Sequence, residues 1–335
     1  MGVHCFAQRD PWRKGLMGAA ASLQPAVSVI VPTFNRLEYL RTAIDSIFNQ
    51  THSDWELLIA DDGSEEATRE YLRELSHLPK VRVIWLSHTG IPAAVRNAAL
   101  REAGGKYVAF LDSDDLWDRR KLEAQLAVMQ THGLCQWSYT AFTNVDEFGV
   151  VMPTEIHRRW VPCDGEIFER MLRGEVSLRT PCVLATRQLL VEVGGFDESI
   201  PSGEDYDLWY RLALRSDIAV INEPLVKIRH HRENHSADWS SAYVGQDHTF
   251  TKLQRLVDRP RRDMLRRERT RNALRLAYRH AVLRSRAGVF RTLFNSVAFS
   301  WRYAEWWARA LWIVLRAFTP EGVLEIYRCY RRVTS

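Results

Sequence analysis

The sequence predicts an α/β fold, in which a mostly parallel sheet is flanked by helices and followed by a C-terminal helical extension. Two patterns carry this prediction. Short apolar runs alternate with segments of helical periodicity over residues 27–111, as in proteins built from strand–helix–strand units. From residue 240 onward this alternation stops, and helical spacing of apolar residues continues among many arginines.

The alternating region divides into four strands and three helices. The strands are predicted at 27–31, 57–60, 81–86 and 107–111, and the helices at 36–49, 65–76 and 91–103. Ser64 is a candidate N-cap for the second helix, and Gly104-Gly105 ends the third. A further helix is predicted over 204–215, and the extension contains a helix over 262–287.

The charge is distributed unevenly, although the 335 residues carry a net charge of only +5. Residues 240–335 hold 19 arginines and one lysine against seven acidic residues, so this segment is at +13 and the rest of the chain at −8. Such asymmetry indicates an anionic partner for the basic segment. We expect a flexible leader over 1–25, one domain over 26–236, and a basic, aromatic-rich helical extension over 237–335.

Composition excludes several classes of protein. With 46% hydrophobic and 26% charged residues, the chain is globular rather than disordered. Its five cysteines are scattered and never form a C-x-x-C pair, so we expect neither a disulfide framework nor a zinc site, and a reducing cytosol suits them. We predict no signal peptide and no transmembrane helix, because charged residues interrupt the apolar runs.

Polar and aromatic side chains directly follow three of the predicted strands. In a parallel sheet the carboxyl ends of the strands face one cleft, where ligands bind. We therefore expect one site that contains Pro32, Thr33, Phe34, Asn35, Asp61, Asp62 and the segment 112–115. The sequence has no G-x-G-x-x-G after the first strand and no G-x-x-x-x-G-K-[ST], which argues against a dinucleotide-binding fold and a P-loop.

The carboxylates of this cleft suggest a divalent metal. Asp112 and Asp114 follow a buried strand, and like charges so close together are costly unless a cation neutralises them. Mg²⁺ or Mn²⁺ takes oxygen ligands and combines one or two carboxylates with substrate phosphates. The alternative is that both aspartates only cap a helix that starts near Asp118. Likewise, Asp61-Asp62 is either a turn or a contact to a base or ribose, and Phe34 either stacks on a base or belongs to the core.

Six motifs occur in a fixed order over about residues 26–236. They are VSVIVPTFNR at 27–36, DDGS at 61–64, AVRN at 94–97, GGKYVAFLDSDD at 104–115, GGFD at 194–197 and GEDYDLW at 203–209. As an ordered set they resemble the inverting family 2 glycosyltransferases, which have the Rossmann-like GT-A fold. The last hundred residues lie outside the resemblance. It implies a nucleotide-diphosphate sugar donor, a divalent metal, and inversion at the anomeric carbon.

The resemblance also implies roles for single residues. Asp205 would be the catalytic base with Glu204 as its neighbour, while Asp114 and His231 would bind Mg²⁺ or Mn²⁺. The donor nucleotide would contact Pro32, Thr33, Phe34, Asp61, Asp62, Arg96, Asn97, Asp112 and Ser113. For Asp205 the alternative is an acidic residue favoured by a helix N-terminus, and for His231 a solvated loop. We interpret Trp209 as a core residue in preference to a sugar platform.

The extension has the composition of a helix at a membrane surface. Aromatic residues crowd 289–317 and arginines interrupt them, which is typical of the interface of an anionic bilayer. We predict peripheral membrane contact through 288–335. The alternatives are a helical bundle packed on the preceding domain and a homodimer face. Nucleic acid is disfavoured as a partner, because no recognition motif for it is present.

These observations predict a metal-dependent, inverting glycosyltransferase in the cytoplasm, peripheral on the inner face of the cytoplasmic membrane. It would transfer a sugar from a nucleotide-diphosphate sugar to a glycan or lipid-linked glycan acceptor, in cell-surface polysaccharide or glycolipid synthesis. The alternative is a non-catalytic sugar-nucleotide-binding or scaffold protein of the same fold. The presence of both Asp114 and Asp205 argues against that alternative.

Overall fold

A computed structural model of the chain describes residues 24–152, 161–231 and 239–319. The chain divides into two units, of which the first comprises Met1–Ser199 with Glu204–His235 and the second Ile200–Gly203 with Ser236–Ser335. The leader predicted over 1–25 lies outside the described residues except for its last two positions. The end of the predicted extension, from 320 onward, also lies outside them.

Among the described residues, the first unit is built on an eight-stranded mixed sheet. The strands are β1 (Val27–Thr33), β2 (Trp55–Asp61), β3 (Val81–Trp85), β4 (Tyr107–Phe110), β5 (Leu116–Trp117), β6 (Trp137–Val145), β7 (Val183–Thr186) and β8 (Ile218–Arg229). Their order is β3-β2-β1-β4-β7-β6-β8-β5. Strands β1 to β4 are parallel to one another, and β7 joins antiparallel to β4. The α/β class and all four predicted strands are confirmed.

Helices connect these strands. In the first unit they are α1 (Leu37–Phe48), α2 (Glu66–Ser76), α3 (Pro92–Glu102), α4 (Lys121–Thr131), α5 (Phe168–Leu172), α6 (Arg187–Glu192) and α7 (Glu204–Ala213). Helix α3 packs on β1 and β2, and α4 on β6 and β8. The predicted N-cap of α2 was wrong: Glu65 precedes the helix, and Ser64 Oγ instead accepts the Asn35 N–H at 2.7 Å.

The parallel strands form the buried centre of the first unit. Val29, Leu57 and Phe110 are fully buried, and burying a side chain of this size contributes about 1.5–3 kcal/mol. Gly105, just before β4, permits a close approach to β1, because a Cβ there would lie 2.6 Å from the Ser28 nitrogen. The glycine pair predicted to end a helix therefore also sets the position of the next strand.

The second unit is helical where it is described. Its helices are α8 (Trp239–Leu253), α9 (Arg259–Val282), α10 (Arg286–Ser300) and α11 (Ala304–Phe318). Helices α9 to α11 pack around Trp306, whose indole N–H donates to Ser296 Oγ at 3.1 Å. The aromatic stretch over 289–317 contains two helices, because the chain turns at 301–303. None of the described helices is long and apolar enough to cross a membrane.

Candidate active site

The carboxyl ends of β1, β2 and β4 lie side by side in the sheet. Thr33 of β1 is opposite Asp61 of β2, and Ile30 of β1 is opposite Phe110 of β4. The segments that follow these strands therefore meet in one cleft, as the parallel topology requires. Helix α7 and the end of β8 contribute further side chains, which are joined to the same cleft by hydrogen bonds.

Phe34 and Asp62 lie at one end of this cleft, beside His88 in the loop after β3. The Phe34 ring is 39% exposed and stacks on the His88 ring with centroids 4.1 Å apart, so it is not a core residue. Asp62 is buried, and its carboxylate accepts from Thr89 N and Oγ1 at 2.8 and 2.9 Å and from Gly90 N at 2.9 Å. His88 Nδ1 lies 3.0 Å from Asp62 Oδ2.

The turn after β1 has a strained backbone. Asn35 and Arg36 both have a φ of 58°, in the left-handed region that residues other than glycine seldom adopt. Asn35 donates its N–H to Ser64 Oγ at 2.7 Å, and its Oδ1 accepts the Glu65 N–H at 2.8 Å. Asp61 in turn accepts the Ser64 N–H at 3.2 Å. These bonds offset a strain of about 1–3 kcal/mol per residue and fix the turn.

Asp114 has two partners on one carboxylate oxygen. Its Oδ2 lies 2.7 Å from Arg36 Nη1 and 2.9 Å from His231 Nε2. The main-chain oxygen of Asp114 accepts from Arg229 Nε at 2.9 Å, which fixes the end of β8 against the 112–115 turn. The Tyr39 ring stacks on His231 with centroids 4.9 Å apart. The two predicted metal ligands are therefore adjacent.

Arg96 is buried between two carboxylates. It donates to Asp112 Oδ1 at 2.7 Å and to Glu204 Oε1 at 2.8 Å, and so joins the end of β4 to the start of α7. Burial disfavours the charged guanidinium, but the two carboxylates outweigh this and raise the pKa of Arg96. Burial also raises the pKa of Asp112; Arg96 opposes this rise, and the nearby Asp114 carboxylate adds to it.

Asp205 lies in the first turn of α7 and is partly buried. One oxygen accepts the Tyr206 N–H at 2.8 Å, and Thr180 Oγ1 donates to the other over 3.4 Å. Burial, together with the neighbouring Glu204 carboxylate, raises the pKa of Asp205 to about 6. At neutral pH the group is therefore ionised and more basic than an ordinary aspartate, which suits it to accept a proton.

The remaining predicted residues take supporting positions. Asn97 donates to Phe196 O and Glu198 Oε1, each at 2.9 Å, so its amide is directed to the 196–198 loop. Ser113 is buried in the 112–115 turn. Pro32 is half-buried at the end of β1. Trp209 is fully buried, so the prediction that it is a core residue is confirmed.

Sequence reasoning missed two side chains that lie in this cleft, Arg36 and His88. Arg36 belongs to the first motif and follows Phe34 by two positions, so its place after a strand end was the available signal. His88 follows β3, and the same parallel-sheet rule applied to that strand end would have identified it. Asp115 is buried and accepts the Arg229 N–H at 2.8 Å, so it joins the 112–115 turn to the end of β8.

A family model matches the part of the chain that forms the cleft. Residues 28–194 match the family described as Glycosyl transferase family 2. The matched segment contains β1 to β4 together with the 112–115 turn, and it ends before α7.

Proteins of similar sequence are named as glycosyltransferases. A protein of Rickettsia felis named an uncharacterized glycosyltransferase is 36% identical over 203 residues, which are 61% of this chain and 33% of that protein. An Escherichia coli protein named UDP-Glc:alpha-D-GlcNAc-diphosphoundecaprenol beta-1,3-glucosyltransferase is 29% identical over 196 residues, 58% of this chain and 73% of that protein. The chain thus spans about a third of the length of the Rickettsia relative.

Solved structures with a similar fold include two that contain nucleotide sugars. Staphylococcus aureus TarS 1–349 in complex with UDP-GlcNAc has a TM-score of 0.61 at 21% identity, over 89% of this chain and 82% of that chain. A mannosyltransferase from Pyrobaculum calidifontis in complex with GDP-Man and Mn²⁺ has a TM-score of 0.56 at 19% identity, over 96% of this chain and 89% of that chain. These likenesses show the GT-A fold, and the match over residues 28–194 shows that the chain belongs to glycosyl transferase family 2.

Proposed function

We propose that the chain transfers a sugar, with inversion, from a nucleotide-diphosphate sugar to a hydroxyl acceptor. The observation that carries this proposal is the position of Asp205, a carboxylate of raised pKa beside Glu204. Arg96 links Glu204 to Asp112 at the end of β4. The carboxylate suited to accept a proton and the carboxylates expected at the donor therefore share one cleft.

The proposed reaction is a single displacement. The acceptor oxygen forms a bond to the anomeric carbon as the bond from that carbon to the diphosphate oxygen breaks. Asp205 takes the proton of the acceptor hydroxyl, and the diphosphate leaves with the electron pair. Because the two bonds lie on opposite faces of the anomeric carbon, its configuration inverts. A positioned carboxylate contributes about 10²–10⁴-fold to such a step.

The donor nucleotide is proposed to bind along the ends of β1, β2 and β4. The exposed Phe34 ring offers a stacking surface, and Asp62 offers a fixed carboxylate for a base N–H. Arg96 and Asp112 lie toward the diphosphate end. The other proposed contacts are Pro32, Thr33, Asp61 and Ser113. Asn97, next to Arg96, is also proposed as a contact on the donor side, and its amide holds the 196–198 loop there.

A divalent metal is proposed at Asp114 and His231. The two side chains lie 2.9 Å apart, so one ion could bind both. Across the described residues no three potential metal ligands form a group, so phosphate oxygens and water would complete the shell, as is usual for Mg²⁺ and Mn²⁺. When bound, the metal would stabilise the charge that develops on the leaving diphosphate.

The acceptor is proposed to be a glycan or lipid-linked glycan of a cell-surface polysaccharide or glycolipid pathway. The name of the Escherichia coli relative supports this, since it describes glucose transfer to a sugar on diphosphoundecaprenol. The alternative of a non-catalytic sugar-nucleotide-binding or scaffold protein predicts donor binding without turnover. The raised pKa of Asp205 supports the enzyme, because it makes this carboxylate a better proton acceptor than an ordinary aspartate.

The test is a transfer assay with UDP-Glc, UDP-GlcNAc and GDP-Man, with Mn²⁺ or Mg²⁺ and lipid-linked or soluble glycan acceptors. Turnover should give a product whose anomeric proton, followed by NMR, shows the configuration opposite to that of the donor. Asp205→Asn should lower turnover by about 10²–10⁴-fold. The matched control is Asp54→Asn, at the opposite ends of the strands, which should keep full activity. Retained configuration, or an active Asp205→Asn variant, would refute the mechanism; donor binding without turnover would support the non-catalytic alternative.

The proposed location is the cytoplasmic face of an anionic membrane. The support for this location is one exposed apolar face of α11. Five large apolar side chains of α11 are at least half exposed: Trp307, Leu311, Trp312, Leu315 and Phe318. A contiguous exposed apolar face of this kind marks a contact surface. The opposite side of α11, with Trp306 and Ile313, is buried in the helical core.

Charge on the same unit favours lipid as the occupant of this face. Residues 259–319 contain 15 arginines and three acidic residues. The Arg286 guanidinium lies over the Phe318 ring at 4.5 Å, and that of Arg316 over the Tyr278 ring at 5.4 Å. Aromatic rings beside cations suit the boundary between acyl chains and anionic headgroups.

Vesicle sedimentation tests the membrane contact. The chain should pellet with phosphatidylglycerol vesicles and not with phosphatidylcholine alone, and the double change Leu311→Ser with Trp312→Ser should abolish pelleting. Val244→Ser, which changes an exposed apolar residue on α8, is the control. Failure of the unchanged chain to pellet would refute the contact. Conversion of a dimer to a monomer by the double change, measured by light scattering, would identify the face as a homodimer interface instead.

A further inference from the structure

We propose that His88 closes the base-binding end of the cleft in the ligand-free chain by occupying the contacts that a donor base needs. A base then binds only after the imidazole has moved away. The inference rests on the proposed function, because it takes a nucleotide as the ligand of this site. It concerns a side chain that lies outside the six sequence motifs.

The first contact is the stacking surface. The His88 and Phe34 rings are 4.1 Å apart between centroids and inclined by 22°, which is the arrangement of a stacked aromatic pair. A nucleobase on Phe34 would need the same space on that side of the ring. The imidazole therefore covers the stacking surface that Phe34 offers.

The second contact is the carboxylate of Asp62. His88 Nδ1 lies 2.9 Å from the main-chain oxygen of Asp62 and 3.0 Å from its Oδ2. Both oxygens only accept hydrogen bonds, so Nδ1 must carry the proton. An aromatic ring that stacks on Phe34 and directs an N–H at Asp62 offers the same two interactions as uracil or guanine, each of which has a ring N–H.

The number of acceptor positions on the Asp62 carboxylate supports the replacement of the His88 imidazole by a base. A carboxylate has about four lone-pair sites. Thr89 N, Thr89 Oγ1 and Gly90 N occupy three of them, and His88 takes the fourth. Departure of the imidazole would leave Asp62 fixed by its three other partners and would open one site for a base N–H.

The local structure permits His88 to move. Its side chain is 51% exposed, and residues 86–91 form no helix or strand. Gly90 has a φ of 67°, so the chain bends within this loop. The main-chain N–H groups of Thr89 and Gly90 donate to the Asp62 carboxylate and hold the loop in place. The His88 side chain can therefore rotate while the main chain on its C-terminal side stays where it is.

Removal of the imidazole should strengthen nucleotide binding. In calorimetric titrations of UDP and GDP with Mn²⁺ present, we expect His88→Ala to bind the preferred nucleotide about threefold to tenfold more tightly than the unchanged chain, since a stacked pair and a hydrogen bond no longer compete. His77→Ala, at the exposed end of α2, is the matched control and should leave the affinity unchanged.

NMR gives a second, independent measure. In the ligand-free chain the ring protons of His88 should be shifted upfield by the Phe34 ring, and addition of the nucleotide should remove this shift. Weaker binding by His88→Ala would mean that the imidazole contacts the base, and unchanged binding would mean that it does not compete with the base. Either result would refute this inference and leave the proposed function standing. If neither UDP nor GDP binds any variant, the proposed function fails together with it.

Discussion

Replacing Asp205 by asparagine should inactivate the chain and also stabilise its fold at neutral pH. Asparagine has the same shape, and its side-chain oxygen can still accept the Tyr206 N–H, so the first turn of α7 keeps its packing. The change removes a negative charge that burial and the adjacent Glu204 carboxylate disfavour. The same two causes raise the pKa of Asp205 from 3.8 to about 6.

Asp205→Asn should stabilise the fold because the folded chain holds the Asp205 proton up to a higher pH than the unfolded chain does. In the unfolded chain Asp205 loses its proton near pH 4, whereas in the folded chain it does so near pH 6. Stability contributed by the neutral form is therefore lost as the pH rises from 4 to 6, and above pH 6 the folded state bears the whole penalty. The rise in pKa bounds this penalty at about 3 kcal/mol, and water at the partly exposed carboxyl reduces it to about 1–2 kcal/mol.

Urea unfolding at two pH values measures this difference. Asp205→Asn should be more stable than the unchanged chain by about 1–2 kcal/mol at pH 7.5, and by about half as much at pH 5. Asp54→Asn, at an exposed position before β2, is the control for the same substitution outside the cleft. A variant that is less stable at pH 7.5, or a gain of equal size at both pH values, would refute the argument from burial.

Four further predictions concern the same cleft and its surroundings. Glu204→Gln removes a carboxylate that raises the pKa of Asp205, so the acidic limb of kcat/KM, expected near pH 6, should move to lower pH; an unmoved limb would contradict this. Asp114→Ala should weaken Mn²⁺-dependent UDP or GDP binding at least tenfold in calorimetry, and equal affinity would exclude it as a ligand. Arg36→Gln removes the cation that pairs with Asp114 and leaves His231 beside it, so it should tighten the binding of Mn²⁺ alone in electron paramagnetic resonance titrations. Burial lowers the pKa of Lys121 to about 7, so between pH 7 and 10 the folded chain has lost a proton that the unfolded chain still binds. Wild-type stability should therefore rise with pH over this range, and Lys121→Met should flatten that rise in thermal unfolding.

The parallel half of the fold was predictable because its signals are local. Strands β1, β2 and β4 are apolar runs that end at turn residues, and each is buried in the centre of the sheet. The other half of the sheet, β5 to β8, mixes parallel and antiparallel pairs and offered no such signal. Strand β8 contains Glu223 and Pro224 and pairs with β6 through two register shifts, while β5 has only two residues. These strands are defined by their partners in the sheet rather than by their own sequence.

Which residues lie in the candidate site could be predicted from the sequence better than which atoms those residues contact. Ordered motifs bring Asp112, Asp114 and Asp205 to one cleft, but they do not specify which atoms pair. Asn97 and Arg96 are neighbours in the sequence, yet they face different partners, because successive residues on a helix point about 100° apart. Whether Phe34 is a core residue or an exposed one could not be decided from the sequence either, because the folded loops around it determine how much of its ring is exposed.

Arg36 and His88 act in a similar way on two carboxylates of the cleft. The Asp114 carboxylate, at the proposed metal site, is neutralised by Arg36 at 2.7 Å, and Asp62, at the proposed base site, is satisfied by His88 at 3.0 Å. Each contact lowers the cost of burying a carboxylate, in addition to the contacts of Asp114 with His231 and of Asp62 with the 89–90 segment. A metal alone must then displace Arg36, whereas a diphosphate can draw that guanidinium away by its negative charge. We therefore expect Mn²⁺ and the nucleotide each to tighten the binding of the other by the same factor, since the coupling free energy between two ligands is reciprocal.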